Sequence, residues 1–224
     1  LQDLASEGHS DYRPLYLFPG VEITVQGNIH ILSIFGPDKT TSDIDSLLGA
    51  VHYRTTKGKS DGCSEYSAVE VIDEIAKSGA LAIPAHVDRA NGLFTICTGN
   101  TLEQVLDNTN VFAIEVTDYV QAKPSLYISK KMNWSQVLGT DSHHPFGING
   151  QQYPGSHFTW VKMSEPSFDG LRLALIDGDL SLKRSDQFTQ DPNTRGLLAI
   201  ESIEIKDAKY MGRGQPFSCQ LNPW

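Results

Sequence analysis

The sequence predicts an α/β fold with mainly parallel strands. Three observations carry that expectation. Apolar runs suited to strands take turns with stretches of helical period between about residues 20 and 176. The strand runs are short, and several end directly in a polar or ionisable residue. The composition is globular: 224 residues, 39% hydrophobic and 20% charged, enough for one domain with a sizeable core and a small appendage. In a (β/α) barrel the C-terminal ends of the strands converge on one face, where the chemistry sits.

Leu1-Gln2-Asp3-Leu4-Ala5 reads as the last turn of a helix closing at Gly8, and there is no initiator methionine, so the sequence is expected to begin inside a domain. Leu15 to Phe18 is a short apolar run stopped by Pro19-Gly20. Val21, Ile23 and Val25 then alternate with Glu22 and Thr24, as in a strand with one polar side. Gly27-Asn28 makes a turn into a second strand, Ile29 to Phe35, apolar except at His30 and Ser33. Glu22 and His30 are thus expected on neighbouring strands of a hairpin.

Thr41-Ser42-Asp43 opens a helix to about Tyr53, followed by a polar, glycine-containing loop over 55–62. Ser64 is expected to cap the next helix, in which Ala68, Val69, Ile72, Ile75 and Ala76 repeat at helical spacing and Gly79 marks the end. Ala80 to Pro84 is a short buried strand leading into Ala85-His86-Val87-Asp88-Arg89. Thr101 is expected to cap a helix, Val111 to Val116 to form a strand, and Pro124 to start a helix reaching Lys131. The strand Ser135 to Leu138 delivers Gly139-Thr140-Asp141-Ser142-His143-His144-Pro145. A strand over His157 to Met163 and a helix from Pro166 to about Ile176 close the alternation. Residues 181–196 are polar and read as a linker between a domain at 1–180 and a β-hairpin at 197–224.

A net charge of -9 disfavours broad non-specific binding to nucleic acid, yet leaves room for a local site, because bound cations dominate the field close to themselves. Cys63, Cys97 and Cys219 are odd in number and in no CxxC pattern, so they read as reduced thiols and not as a disulfide frame. There is no run of 18 apolar residues and no signal-peptide pattern. The expectation is a cytoplasmic protein without a membrane partner.

Asp141 and His143 are two apart, so an extended backbone turns both to one side. A carboxylate oxygen and an imidazole nitrogen can both bind a metal. With Glu22, His30 and His86 they make five candidate ligands within or just after strands. Carboxylates neutralise and bridge cations, neutral imidazoles bind without adding charge, and open positions remain for water. Such a cluster lowers the pKa of bound water and can hold a phosphate oxygen, which makes phosphoester hydrolysis its natural reaction. Catalysis would fall to Asp141, His143 and His86, with Arg89 and His144 as candidate substrate contacts. The blander readings are a core histidine at His30, a strand cap at His86, a solvent-facing Glu22 and a backbone partner at His144. Asp88 and Arg89 could form a surface ion pair, and His52 and His157 read as structural. Lys57-Gly58-Lys59 reads first as a solvated loop and only second as a substrate contact.

Pro19-Gly20-Val21-Glu22-Ile23 with His30 downstream, Pro84-Ala85-His86, and Gly139-Thr140-Asp141-Ser142-His143 together resemble the PHP (polymerase and histidinol phosphatase) metal-dependent phosphoesterases, in order and spacing, over roughly residues 15 to 180. The resemblance implies a distorted (β/α)7 barrel with two or three ions of zinc, manganese or iron. Glu22 would bridge them, and His30, His86, Asp141 and His143 would be the other ligands. Its substrate would be a phosphomonoester or a DNA or RNA end. The family's opening His-x-His strand and its Thr-Asp-His block are absent before Glu22, and His9 has no such context. Those elements are expected upstream, leaving the barrel incomplete at its N-terminus; otherwise the module is a degenerate, non-catalytic one that regulates or docks an ATPase. A weaker alternative is an amidohydrolase-like enzyme cleaving C–N bonds. Ile200 to Ile205 and Phe217 to Asn222 resemble the first hairpin of ABC/SMC-type ATPases, which implies an ATPase domain in the same parent chain. No GxxxxGK[ST] is present, so ATP binding is not assigned to these residues.

Overall fold

The alternating pattern of Val21, Ile23 and Val25 becomes β1 (Gly20–Val25), paired antiparallel with β2 (Ile29–Ile34). This is a computed structural model, and it describes residues 15–59, 62–192, 200, 202–206 and 215–221. The expected helix end at Leu1–Ala5, and His9, lie outside the described residues. The β1–β2 turn places Gly27 at φ 84° and Asn28 at φ 61°, a left-handed region that Gly and Asn tolerate best. Ile23, Val25, Ile29 and Ile31 are buried on one face, and Glu22, Thr24 and His30 stand on the other.

α1 (Thr41–Ala50) starts at a capping box of Thr40 and Asp43 and stops short of the expected Tyr53. α2 (Ala68–Lys77) starts later than expected. Its cap is Ser67, in a capping box with Glu70, while Ser64 is buried and donates its hydroxyl to Val51 O at 2.5 Å. Gly79 follows the helix at φ 78°, as the αL position after a C-cap requires. The apolar stripe of α2, Val71, Ile72 and Ile75, is fully buried in one core with Ile23, Val25, Ile29 and Ile31.

β3 (Leu81–Pro84) pairs with β2 antiparallel, which corrects the expectation of mainly parallel strands. Hydrophobic period reveals a strand but not its direction. One helical pass returns the chain to the end it left and makes the next strand parallel. Two passes, α1 and α2, bring it to the opposite end. Beyond β3 come a one-turn α3 (Leu93–Ile96), which was not expected, and α4 (Gly99–Leu106), capped at Thr98 and not at Thr101. Just ahead of β4 (Ala113–Glu115), Val111 forms a parallel bridge to Ala82 of β3. α5 (Ser125–Ser129) then crosses to β5 (Ser135–Val137), parallel to β4.

β6 (Thr159–Val161), α6 (Phe168–Asp177) and β7 (Leu182–Arg184) follow, with β6 and β7 antiparallel. Leu182 joins Leu81, Ile83, Ala113, Ala174 and Leu175 in a second core. Strand β7 falls where a linker was expected from residue 181. Its sequence, Leu-Lys-Arg, looks exposed, but Arg184 is only 3% exposed. The guanidinium donates to Val116 O at 2.6 Å and Val137 O at 3.2 Å, and pairs with Asp186 at 2.8 Å. A buried cation with its donors used in this way ties β7 to the ends of β4 and β5. Arg184→Met should therefore cost about 2–3 kcal/mol, because it strips the partner from a buried carbonyl and from Asp186. Urea unfolding of the two proteins checks this; an unchanged midpoint would contradict the account.

β8 (Ser202–Ile205) and β9 (Phe217–Gln220) form the expected antiparallel hairpin, mostly exposed on both strands. The remainder of that region's expected strand, 197–199, and its turn glycines, 212 and 214, lie outside the described residues. Among the described residues the strands form sheets of three, two, two and two, and do not close into a barrel. Backbone bonds at the strand ends nevertheless keep β3, β4 and β5 in sequence, Val87 N to Glu115 O at 2.9 Å and Val116 N to Val137 O at 3.0 Å. Cys63, Cys97 and Cys219 are free thiols. No helix among the described residues is long and apolar enough to cross a membrane.

Candidate metal centre

The polar face of the β1–β2 hairpin supplies the first two groups. Thr24 stands opposite His30, so Glu22 is the diagonal neighbour of His30 on the same face. Long side chains on a diagonal can meet, and Glu22 Oε1 lies 2.6 Å from His30 Nδ1. The third group comes from the end of β3. Ala85 N donates to His30 O at 2.9 Å, which puts the next residue, His86, beside the hairpin. His86 Nε2 is 3.1 Å from His30 Nδ1 and 3.4 Å from Glu22 Oε1. The two rings meet edge to face with centroids 5.0 Å apart.

One carboxylate oxygen and two ring nitrogens thus form a small triangle, all within 4.8 Å of one another. Ligands of a tetrahedral ion with bonds of about 2.0–2.1 Å sit roughly 3.4 Å apart, so this donor set fits a divalent cation such as zinc. Charge agrees with that fit. Hydrogen bonds from His30 and then His86 outweigh burial and hold the Glu22 carboxyl down at about 2. The same Glu22 contact raises the His86 imidazole above its ordinary range, against the effect of burial. His86 Nδ1 is buried and has no hydrogen-bond partner among the described residues.

Asp141 and His143 follow β5 and line the same cavity as the triangle, a space of about 850 Å³. They pair with each other, His143 Nε2 to Asp141 Oδ1 at 3.2 Å, and do not join the triangle. His143 is open to solvent, its side chain 83% exposed. Of the expected ligands, then, three converge and two line the same cavity outside the triangle. Asp141 is close enough for its charge to help raise His86. Arg89 lines this cavity too. His144 does not; its Nδ1 accepts from Phe146 N at 3.1 Å, the backbone role weighed for it.

Two further groups organise the site, Glu115, which the sequence did not single out, and Asp88, which it read as a surface ion-pair partner. Glu115, at the end of β4, is 5% exposed. Its Oε2 accepts from His86 N at 3.0 Å and its Oε1 from Gly139 N at 3.1 Å. One carboxylate thereby fixes the backbone leading into both histidine-bearing loops. Burial, resisted by those bonds, raises its pKa. A side chain at Gly139 would bring a Cβ within 2.6 Å of Glu115 Oε1, so glycine is what permits the approach. His86 at φ 30° and Asp141 at φ 39° both adopt the left-handed region. Such strain costs of order 1–3 kcal/mol per residue and persists where neighbours enforce it.

Asp88 is the second group. It does not pair with Arg89, as its position suggested, but accepts from Thr117 N at 2.9 Å, Thr117 Oγ1 at 2.9 Å and Asp118 N at 2.6 Å. Burial works against its charged form, yet these donors hold the carboxyl below its usual range. The loops after β3 and β4 are therefore bound to each other. A glutamate inside Ala113-Ile114-Glu115-Val116 was the available signal: a charge in an apolar strand must find partners.

No family model and no curated protein matches the chain. Among solved structures, the lesion-specific endonuclease PfuEndoQ from Pyrococcus furiosus has a similar fold, with a TM-score of 0.56 and 17% identity. The match covers 74% of this chain and 40% of that one, so the chain spans about two fifths of that protein's length. At this identity the likeness is one of fold.

Proposed function

We propose that the chain is a PHP-type, metal-dependent phosphoesterase module that hydrolyses phosphoester bonds, with nucleic-acid ends as the favoured substrate. The observation that carries the reading is the convergence of Glu22, His30 and His86 from three successive strands onto one point of a cavity. The fold of an endonuclease supports the choice of nucleic acid.

When bound at this site, a divalent cation (zinc, manganese or iron) would supply Lewis acidity and lower the pKa of water. Glu22, His30 and His86 would hold it, and Glu115 keeps His86 in place. Asp141 and His143, which line the same cavity, would hold a second ion or accept a proton. Arg89 offers its guanidinium to the phosphate oxygens. The specific observation behind a second reading, a module that binds metal but does not turn over, is that Asp141 and His143 stand apart from the triangle. Its role would then be to regulate or dock an ATPase domain of the same parent chain, for which the exposed β8–β9 hairpin is the structural element at hand.

Elemental analysis of the natural full-length protein, with bis(p-nitrophenyl) phosphate turnover before and after chelation, tests the first reading. At least about one ion per chain is expected, with turnover lost on chelation and restored by manganese or zinc. Metal without turnover selects the second reading. A metal-free protein, or turnover that survives chelation, rejects both.

A further inference from the structure

The cavity has a third wall that the metal centre does not use. It is made by α1 and the loop after it: Ile44, Asp45, Leu48, Tyr53, Lys57 and Lys59. Two lysines facing a cavity that already holds Arg89 stand out in a chain of net charge -9. The loop that carries them is pinned. Tyr53 N donates to Leu48 O at 2.9 Å, the Tyr53 hydroxyl donates to Lys59 O at 3.3 Å, and Lys59 N donates to Thr56 O at 3.4 Å. Lys57 Nζ is held by the Asp45 carboxylate of α1.

That last contact is an exposed ion pair, with side chains 54% and 57% accessible. Exposed pairs of this kind are worth little, so the lysine exchanges readily onto a stronger anion. The hydrolytic centre needs one phosphate at Glu22, His30 and His86. A wall with two further cations has no task on a substrate that carries only that phosphate. Tyr53, Ile44 and Leu48 beside the lysines offer an apolar and aromatic surface for a base or sugar. A cavity of about 850 Å³ has room for one or two nucleotides.

We propose that Lys57 and Lys59 form a second phosphate subsite, which selects single-stranded nucleic acid by gripping a backbone phosphate beyond the scissile one. Asp45 holds Lys57 until that phosphate arrives. The inference rests on the phosphoesterase reading, and it names the substrate class of that same cavity.

The test uses the metal-loaded full-length protein and two probes, a single-stranded oligodeoxynucleotide and p-nitrophenyl phosphate. In K57A/K59A the preference for the oligonucleotide, as a ratio of kcat/KM values, should fall roughly tenfold, mostly through KM. The slope of log affinity against log salt should become shallower by about 1.4, since each single-strand phosphate contact contributes about 0.7. K57R/K59R should keep both properties, and D45N should tighten oligonucleotide binding. An unchanged preference and salt slope in K57A/K59A would overturn the subsite while leaving the phosphoesterase reading intact. Should the protein carry no metal and hydrolyse neither probe, the phosphoesterase reading falls, and oligonucleotide binding by fluorescence anisotropy still decides whether the lysines hold a phosphate.

Discussion

Glu22→Ala should give a folded protein that no longer holds its metal. Glu22 is the only carboxylate in the triangle, and its side chain is 37% exposed on the polar face of β1. The core on the other face rests on Ile23 and Val25, which the substitution leaves alone. Stability should change by no more than about 1 kcal/mol, the scale of an exposed ion pair. The metal is another matter. With its pKa held at about 2, Glu22 is anionic at every working pH and supplies the charge that draws both imidazoles to one point. Without it, two nitrogens 3.1 Å apart face each other with no anion between them. Metal affinity should fall by at least roughly 100-fold, beyond the 10–100-fold typical for loss of a mere supporting partner, and phosphoester turnover should fall with it. Isothermal titration with zinc, alongside a thermal melt, measures both parts. Retained affinity in a folded variant would show that the triangle is not the metal site.

Which parts of this site could be read in the sequence follows from what sequence pattern encodes. Alternation of Val21, Ile23 and Val25 marks a strand and Gly27-Asn28 a turn, so Glu22 and His30 could be assigned to neighbouring strands of a hairpin; their shared face follows from the register. Strand ends are equally visible, which is why His86, Asp141 and His143 could be placed on one cavity. Direction and closure are not local properties. The antiparallel entry of β3 depends on counting helical passes, and the cap falls at Ser67, not at the expected Ser64, because Glu70 is its reciprocal partner. Composition also misleads where charge is buried. Arg184 lay in an apparent linker because its burial depends on three carbonyl and carboxylate partners that sit 2, 47 and 68 residues away in sequence. Glu115 escaped for the same reason, its two donors lying 24 and 29 residues distant.

The second large effect is expected at Glu115. Glu115→Ala leaves the His86 and Gly139 amides without acceptors, and each buried N–H left unsatisfied costs about 1–3 kcal/mol. The expected loss is therefore roughly 2–6 kcal/mol. A purely structural residue would stop there. Glu115, however, is bonded to the backbone of one candidate metal ligand and to the glycine two residues before another. Both His86 and Asp141 hold left-handed backbone angles that need enforcement. Releasing them should let His86 relax out of the triangle, so zinc affinity should also fall by roughly 10–100-fold. Glu115→Gln separates the two roles. Its amide oxygen can still serve one N–H, but its NH2 group faces the other donor, so both losses should be intermediate. Denaturation gives the stability, and zinc titration well below the variant's melting point gives the affinity. If affinity stays at the wild-type value in a variant that has lost stability, Glu115 supports the fold alone; if neither changes, the bridge it forms between β3 and β5 carries no weight.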